Sequence, residues 1–298
     1  MRAGVASLRG IVTVLNTPFG ADGTIDTAAL ARNASMALDA GVAGFLVPAM
    51  AAEVQKLSDA ERSALVRTTV ETVAGRVPVI GGASAPDAAS RERLAITCLE
   101  LGCAGILSSI PYVDDAHYEQ QVRHLAALRP GFLMLQDWDA QGYGLPVRLI
   151  VRLFEQIEAF QALKIEVVPA GAKYSEVLAA TGGELHVSGG WAVMQMIEAF
   201  DRGVHAIMPT AMHAIYMRIY QLYSSGDRAG AQALFERLLP VLAFSNQHLD
   251  ISVHFFKRLL WRQGIYPTSH VRPPALPFDE THQRIADELI CRVIEMGL

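Results

Sequence analysis

One lysine of the sequence stands in a run that predicts a buried β-strand. The chain has four lysines, and Lys164 lies in the apolar run 162–165. A lysine that projects into an apolar interior loses hydration, which favours the free amine over the ammonium ion. A free amine can attack a 2-oxo acid and form an imine, whose positive nitrogen acidifies the neighbouring carbon. The alternative is that Lys164 closes the end of a barrel by pairing with Glu166 or Asp137.

Short apolar runs alternate with helical patterns along most of the sequence. We predict eight strands, each followed by a helix, near 11–16, 42–47, 77–81, 104–108, 132–136, 162–166, 185–188 and 204–208. Eight such units in about 225 residues favour a closed (β/α)8 barrel over an open parallel sheet. Only helical patterns follow, so we predict a barrel of residues 1–225 and a C-terminal extension of three helices at 226–298.

The predicted barrel selects candidate site residues, because functional groups of such barrels lie at the carboxyl ends of the strands. These positions include Thr17, the loop 48–53, Tyr112, Gln136, Asp137, Lys164, Glu166 and the loop 188–191.

Composition and charge exclude several classes of protein. The net charge of −5 argues against nucleic acid as a partner, because phosphate binding needs clustered lysine and arginine. No apolar stretch approaches the roughly 20 residues of a membrane span, and no signal-peptide core precedes Pro18. Cys98, Cys103 and Cys291 are odd in number and lack a C-x-x-C pair. We therefore expect buried thiols in a cytoplasmic protein, with no membrane partner.

Several segments in order carry a resemblance to a known family. They are 11–13, 17–19, 22–26, Glu53 with 57–62, 75–82, 111–112, Lys164 and 188–189. The set resembles the dihydrodipicolinate synthase and N-acetylneuraminate lyase family of imine-forming class I aldolases. The resemblance implies a (β/α)8 barrel with a three-helix C-terminal extension and an imine-forming lysine at Lys164. It also implies a small 2-oxo acid as substrate and a homo-oligomer, either a tetramer or a dimer.

The loop after the second strand departs from the family pattern. The family's Gly-Thr-Thr-Gly-Glu loop, which holds the substrate carboxylate and passes a proton, reads Ala-Met-Ala-Ala-Glu at 49–53. Both hydroxyl groups are missing, so no side chain of this loop relays a proton. The backbone N–H groups of Met50 and Ala51 remain as the predicted carboxylate site. We expect Glu53 to support the loop.

The fifth strand departs from the family as well. Its Tyr-Asn pair is replaced by Gln136-Asp137, and an amide is no general acid at neutral pH. Val113 and Gln141 stand where the family has a tyrosine and a carboxylate-binding arginine. These changes argue against the condensation of lysine biosynthesis.

With Lys164 kept and the proton relay replaced, the sequence favours a different reaction on the same imine. Gln136-Asp137 together with Lys164-x-Glu166 resembles the family branch that includes dehydratases of 2-keto-3-deoxy sugar acids. We predict a lyase acting on a hydroxylated 2-oxo acid, by dehydration or aldol cleavage, without a cofactor. The ionisable candidates for the catalytic acid and base are Glu166, Asp137, Tyr112 and Tyr143. Glu166 or Asp137 is the predicted base, and Tyr112 is also predicted to line the pocket. The predicted substrate-binding positions are Thr17, Met50, Ala51, Gln136 and Gly189.

Alternatives stay open at this point. Each carboxylate is as readily a hydrogen-bond acceptor behind the site as a base. The chain is alternatively a 4-hydroxy-tetrahydrodipicolinate synthase-like enzyme that condenses pyruvate, or a paralogue that binds a 2-oxo acid without turnover. A metal site built from Asp137, Asp139 and His186 has nonspecific spacing. Lys173 is favoured as a lysine on a helix surface over a ligand of the substrate.

Overall fold

Eight strands form the centre of the protein. The computed structural model describes residues 3–296, with only the backbone described at 3, 191 and 192. The strands close into a barrel in chain order, and parallel pairing joins β5 to β6, β6 to β7 and β8 to β1. They are β1 (Gly10–Val14), β2 (Gly44–Val47), β3 (Val79–Gly82), β4 (Gly105–Ser108), β5 (Leu133–Asp139), β6 (Phe160–Val167), β7 (His186–Gly189) and β8 (Ala206–Ile207). The predicted (β/α)8 fold is confirmed.

A helix follows each strand, and three more helices follow the last of these. They are α1 (Thr27–Ala40), α2 (Asp59–Val73), α3 (Ala88–Glu100), α4 (Asp115–Ala126), α5 (Val147–Gln156), α6 (Ala170–Ala180), α7 (Met196–Asp201), α8 (His213–Ser224), α9 (Arg228–Ser245), α10 (Leu249–Arg262) and α11 (Glu280–Glu295). Several begin with a side chain that accepts from a first-turn N–H, which satisfies a donor that has no partner inside the helix. At α2 Ser58 and Glu61 form a capping box.

The ends of some elements differ from the sequence-based prediction. β5 and β6 are longer than predicted, because their hydrogen-bonded ladder continues past the apolar residues to Asp139 and Val167. β8 is reduced to two residues. The helix predicted to follow the seventh strand begins as a 3-10 turn over 191–195 and becomes α-helical at Met196. Each difference lies at an end, where pairing with a neighbour decides more than local hydrophobicity.

The chain divides into two compact units. The first comprises 1–12, 43–46 and 75–209, and it holds most of the strand residues with α3 to α7. The second comprises 13–42, 47–74 and 210–298, and it holds α1, α2 and α8 to α11 with the loops after β1 and β2. Within the second unit α9 packs on α8, and α10 packs on α9, α11 and the turn 50–52. The division at residues 225 and 226 stays a prediction from the sequence.

The cysteines follow the prediction in part. Cys98 and Cys103 are buried, but Cys291 is exposed. The prediction for Cys291 was wrong because α11 buries the stripe of Ala286, Leu289, Ile290 and Val293, and position 291 lies outside it. Over residues 3–296, no helix combines the length and apolar character that a membrane crossing requires.

Candidate active site

β6 places two ionisable side chains side by side. Lys164 is 5% exposed, and its Nζ lies 3.1 Å from Oε2 of Glu166. Residues two apart on a strand share a face, which is why the spacing Lys164-x-Glu166 brings amine and carboxylate together. Gln136 on β5 is the register partner of Lys164, and its amide nitrogen donates to the same oxygen of Glu166. The result is a buried group of amine, carboxylate and amide.

β7 and the residue after it bring backbone against this group. Ser188 is the register partner of Lys164. Gly190 follows the strand, and a Cβ added there would lie 2.5 Å from Cε of Lys164 and closer still to the carboxylate of Glu166. A side chain at position 190 would therefore displace both. Gly189, the predicted binding residue, instead extends β7, and its carbonyl accepts from the N–H of Met208 at 2.8 Å.

Asp137 is not brought to the Lys164–Glu166 pair. It follows Gln136 on β5 and so projects from the opposite face of the strand. Its Oδ2 lies 2.5 Å from Nζ of Lys173, and its Oδ1 accepts from the N–H of Leu145 at 2.9 Å. The expectation of a surface lysine at 173 was wrong, because α6 buries that side chain completely against Asp137.

Burial dominates the electrostatics of the Asp137–Lys173 pair. Desolvation raises the pKa of Asp137 above its usual range, although the lysine opposes that shift. Desolvation likewise lowers the pKa of Lys173, against the attraction of the carboxylate. Since both shifts disfavour the charged forms, the cost of removing these groups from water exceeds the gain from pairing them.

Two tyrosines of the predicted site are engaged elsewhere. Tyr112 lies in the loop between β4 and α4, is 44% exposed and donates its hydroxyl to Asp115 at 2.7 Å. That hydrogen bond raises the pKa of Tyr112. Tyr143 is partly exposed after β5, where burial and a hydrogen bond to Glu176 raise its pKa. Both hydroxyls are therefore weaker acids than an ordinary tyrosine.

The remaining predicted residues lie in the second unit, around the loop after β2. Met50 and Ala51 belong to a 3-10 turn at 50–52, whose Ala52 carbonyl accepts from the Thr17 hydroxyl at 2.7 Å. Glu53 follows in a left-handed conformation with φ of 57°. The backbone at the end of the turn therefore sets the position from which the buried Glu53 side chain extends.

Glu53 holds this loop through three cationic residues that come from the loop and from the C-terminal part of the chain. It accepts from Nζ of Lys257, from Nζ of Lys56 at 3.2 Å and from the backbone N–H of Arg272 at 2.9 Å. Burial lowers the pKa of Lys257 to about 8, while Glu53 opposes the shift. The sequence reasoning missed Lys257, whereas Gly190 lies in the loop 188–191 that it selected. The scarcity of lysine was the available signal for the first, since a lysine amid apolar helix residues is unusual in such a chain.

The residues of the hypothetical metal site do not converge. His186 stacks on His205 with ring centroids 5.0 Å apart, and its Nε2 lies 2.5 Å from the carbonyl oxygen of Leu8. Asp137 is occupied by Lys173. The part of the chain with described side chains contains no group of three His, Cys, Asp or Glu residues placed to hold a metal ion.

The chain is similar over nearly its whole length to characterised proteins. The model of the dihydrodipicolinate synthetase family matches residues 7–292. A 4-hydroxy-tetrahydrodipicolinate synthase of Xanthomonas campestris is 30% identical, with 97% of this chain and 96% of that protein covered. An L-2-keto-3-deoxyarabonate dehydratase of Azospirillum brasilense is 27% identical, with 95% and 92% covered.

Solved structures share the same fold. A dihydrodipicolinate synthase from Rhodopseudomonas palustris superposes with a TM-score of 0.87 at 23% identity, covering 96% of this chain and 98% of its own. A prophage protein of the dihydrodipicolinic acid synthase family from Escherichia coli, solved in complex with pyruvate, gives a TM-score of 0.86 at 22% identity with the same coverage. Two named activities, a synthase and a dehydratase, are thus found among the proteins to which this chain is similar.

Proposed function

Because this chain belongs to the dihydrodipicolinate synthetase family, whose members are lyases, we propose that it dehydrates a 2-keto-3-deoxy sugar acid through an imine on Lys164. The observation that carries the proposal is the buried contact of 3.1 Å between the Lys164 amine and the Glu166 carboxylate. A nucleophile and a base within hydrogen-bond reach of each other are the parts that imine chemistry requires.

The first step is attack of the Lys164 amine on the C2 carbonyl of the substrate. Glu166 accepts the proton that the ammonium form must lose before its nitrogen can attack. Glu166 then returns this proton to the hydroxyl of the adduct, which leaves as water. The resulting imine carries the positive charge, and Glu166 is again a carboxylate. Gln136 donates to Glu166 and so holds the carboxylate in place beside the reacting nitrogen.

The second step is elimination across C3 and C4. The positive imine nitrogen acidifies C3, and Glu166 takes the C3 proton to give an enamine. The enamine expels the C4 hydroxyl, which leaves as water once Glu166 returns its proton. Hydrolysis of the conjugated imine consumes one water, frees Lys164 and releases a 2-oxo acid, so the net reaction loses one water. A single carboxylate serves as base and then as acid.

Other predicted residues take binding roles in this proposal. The N–H groups of Met50 and Ala51 bind the substrate carboxylate, a role that the family resemblance supports. Gln136 and Gly189 belong to the wall of the binding site, and Thr17 stays a binding residue predicted from the sequence. Asp137 and Tyr112, which the sequence offered as catalytic groups, take no part in the chemistry, because Lys173 and Asp115 already engage them.

Condensation of pyruvate with aspartate semialdehyde is the second candidate, since a relative at 30% identity carries the name of that synthase. Against it stand the alanine and methionine residues at 49–52 and the amide at position 136. No side chain there is a general acid that passes a proton between the imine and solvent. We therefore place dehydration first.

Assembly as a dimer or tetramer stays a prediction, which a sedimentation experiment would test.

A turnover screen tests the proposal. The purified protein is offered 2-keto-3-deoxy pentonates and hexonates of each configuration, and products are separated by mass to distinguish water loss from cleavage to pyruvate. We expect dehydration to fall at least ~10³-fold in Lys164→Ala and in Lys164→Arg, the second of which keeps a cation beside Glu166 but lacks the nucleophile. Retained turnover in Lys164→Arg, or pyruvate as the sole product, contradicts the proposal.

A further inference from the structure

Trp138 lies just beyond the proposed catalytic group on the same face of the strand. It follows Gln136 by two residues on β5, and its register partner on β6 is Glu166. Glu166 is buried, whereas Trp138 is 40% exposed. Trp138 is therefore a partly exposed neighbour of the Lys164–Glu166 pair, towards the carboxyl end of β5.

The loop after Trp138 is held in one conformation by buried and half-buried charges. The carboxylate of Asp139 accepts from the N–H groups of Gln141, Gly142 and Gly144 at 2.9, 2.8 and 3.2 Å. Lys173 donates to the carbonyls of Tyr143 and Leu145, and it pairs with Asp137. Gly144 has a φ of 66°, and a Cβ there would collide with the Asp137 carboxylate. These contacts hold the backbone of the loop that directly follows Trp138.

The connections that follow β4 to β7 contain no basic side chain. The connections after β4, β5, β6 and β7, at 109–114, 140–146, 168–169 and 190–195, contain neither lysine nor arginine. Lys173, the basic residue of the adjoining α6, is fully buried against Asp137. Asp139 in the β5 loop and Glu176 on α6 are acidic, and Arg148 in the first turn of α5 pairs with Asp115 at 3.6 Å. A second carboxylate on the substrate would meet the like charge of Asp139 and Glu176, and these connections would supply no counter-ion.

We infer that Trp138 selects substrates whose far end is uncharged, so that the enzyme takes 2-keto-3-deoxy aldonates in preference to the aldarates, which carry a carboxylate at each end. The inference deepens the proposed function and rests on its imine at Lys164. The C–H face of a hydroxylated carbon chain packs on the indole, because an aromatic ring supplies contact area without a charge. Specificity then comes from the absence of a cation as much as from the ring.

Hydride trapping measures this selection independently of turnover. Borohydride reduces the imine, and mass spectrometry gives the fraction of protein that carries substrate or product as a function of ligand concentration. The ligands are a 2-keto-3-deoxy aldonate and the aldarate of the same carbon number. We expect wild-type protein to capture the aldonate at concentrations about tenfold lower than the aldarate, and Trp138→Ala to need about tenfold more aldonate.

A charge-introducing variant makes the test specific. Trp138→Arg supplies the missing cation, and we expect aldarate capture to improve about tenfold, because one charge-assisted hydrogen bond is worth that factor or more. Trp261→Ala is the matched control, since Trp261 lies on α10 with a similar exposure of 39%. Its capture of both ligands should equal that of the wild type.

Two results overturn the inference while leaving the proposed function intact. One is equal capture of aldonate and aldarate by the wild-type protein. The other is an unchanged preference in Trp138→Arg when pyruvate is still trapped by that variant. Failure of every form of the protein to trap pyruvate at Lys164 instead refutes the proposed function, and the inference falls with it.

Discussion

Gly190 offers a sharp test of the site's geometry, because a single methyl group there must move the proposed nucleophile. The backbone of Gly190 has φ of −107° and ψ of −71°, a conformation that alanine adopts without strain. Its added Cβ would lie 2.5 Å from Cε of Lys164, whereas ordinary contact begins at 3.4 Å. The lysine side chain must therefore retreat by about 0.9 Å, and the Glu166 carboxylate must move farther still.

The displacement sets the expected size of the effect. Misplacing a reacting group by about 1 Å costs on the order of 10²-fold in rate. We therefore expect kcat of Gly190→Ala to fall about 10²-fold on the best substrate of the turnover screen. Overpacking of the buried site should lower the free energy of unfolding by about 1–3 kcal/mol. A loss of that size leaves a protein of this length folded at 25 °C, so the rate reports geometry.

The assay compares steady-state turnover and urea unfolding for Gly190→Ala, Glu166→Ala and the double variant. Glu166→Ala removes the atoms that collide most closely but leaves the collision with Cε of Lys164. The methyl group should therefore cost less in that background, and the two losses should not add fully. A kcat of Gly190→Ala within about twofold of the wild type would refute the close approach. So would fully additive losses in the double variant.

Further predictions concern three buried sites: the Asp137–Lys173 pair, the Glu53–Lys257 pair and His186. Asp137→Asn leaves the ammonium of Lys173 buried without its counter-ion, so we expect urea unfolding to show a loss of about 3–5 kcal/mol. Since burial outweighs pairing there, Asp137→Leu with Lys173→Met should be less destabilised than Asp137→Asn; a larger loss in the double variant would contradict this reasoning. Glu53→Gln leaves Lys257 buried without its counter-ion, so the free energy of unfolding in urea should fall by a similar 3–5 kcal/mol. An unchanged unfolding midpoint would argue against the buried pair. Burial lowers the pKa of His186 to about 4, against 6.5 in the unfolded chain, so stability should fall as the pH drops from about 6.5 to 4, by roughly 3 kcal/mol in full. His186→Gln should flatten that pH dependence, and an unchanged slope in the variant would exclude His186 as its source.

Sequence alone predicted the barrel because its strands are short apolar runs separated by capped helices. The strand ends were harder to predict, since β5 continues past Gln136 to Asp139, through residues held by pairing to β6. Hydrophobic pattern reports burial, whereas the length of a strand depends on the neighbour that pairs with it. The pattern of a single sequence does not show which strand that neighbour is or how far the pairing extends.

The candidate site was predictable to the extent that one strand determines it. The contact of Lys164 with Glu166 follows from their spacing of two residues on β6. The pairing of Asp137 with Lys173 does not follow, because it needs the register between β5 and β6 and the rotation of α6. Gly190 was recognisable as a glycine near the site, but its approach to Lys164 depends on where the chain turns after β7.

The central claim is that Lys164 joins covalently to the keto carbon of its substrate. Its most direct measurement is borohydride reduction in the presence of pyruvate, followed by proteolysis and peptide mass spectrometry. The account predicts one reduced adduct, on the peptide that contains Lys164, with Lys56, Lys173 and Lys257 unmodified. An adduct confined to another lysine, or none with pyruvate and the 2-keto-3-deoxy acids, would contradict it.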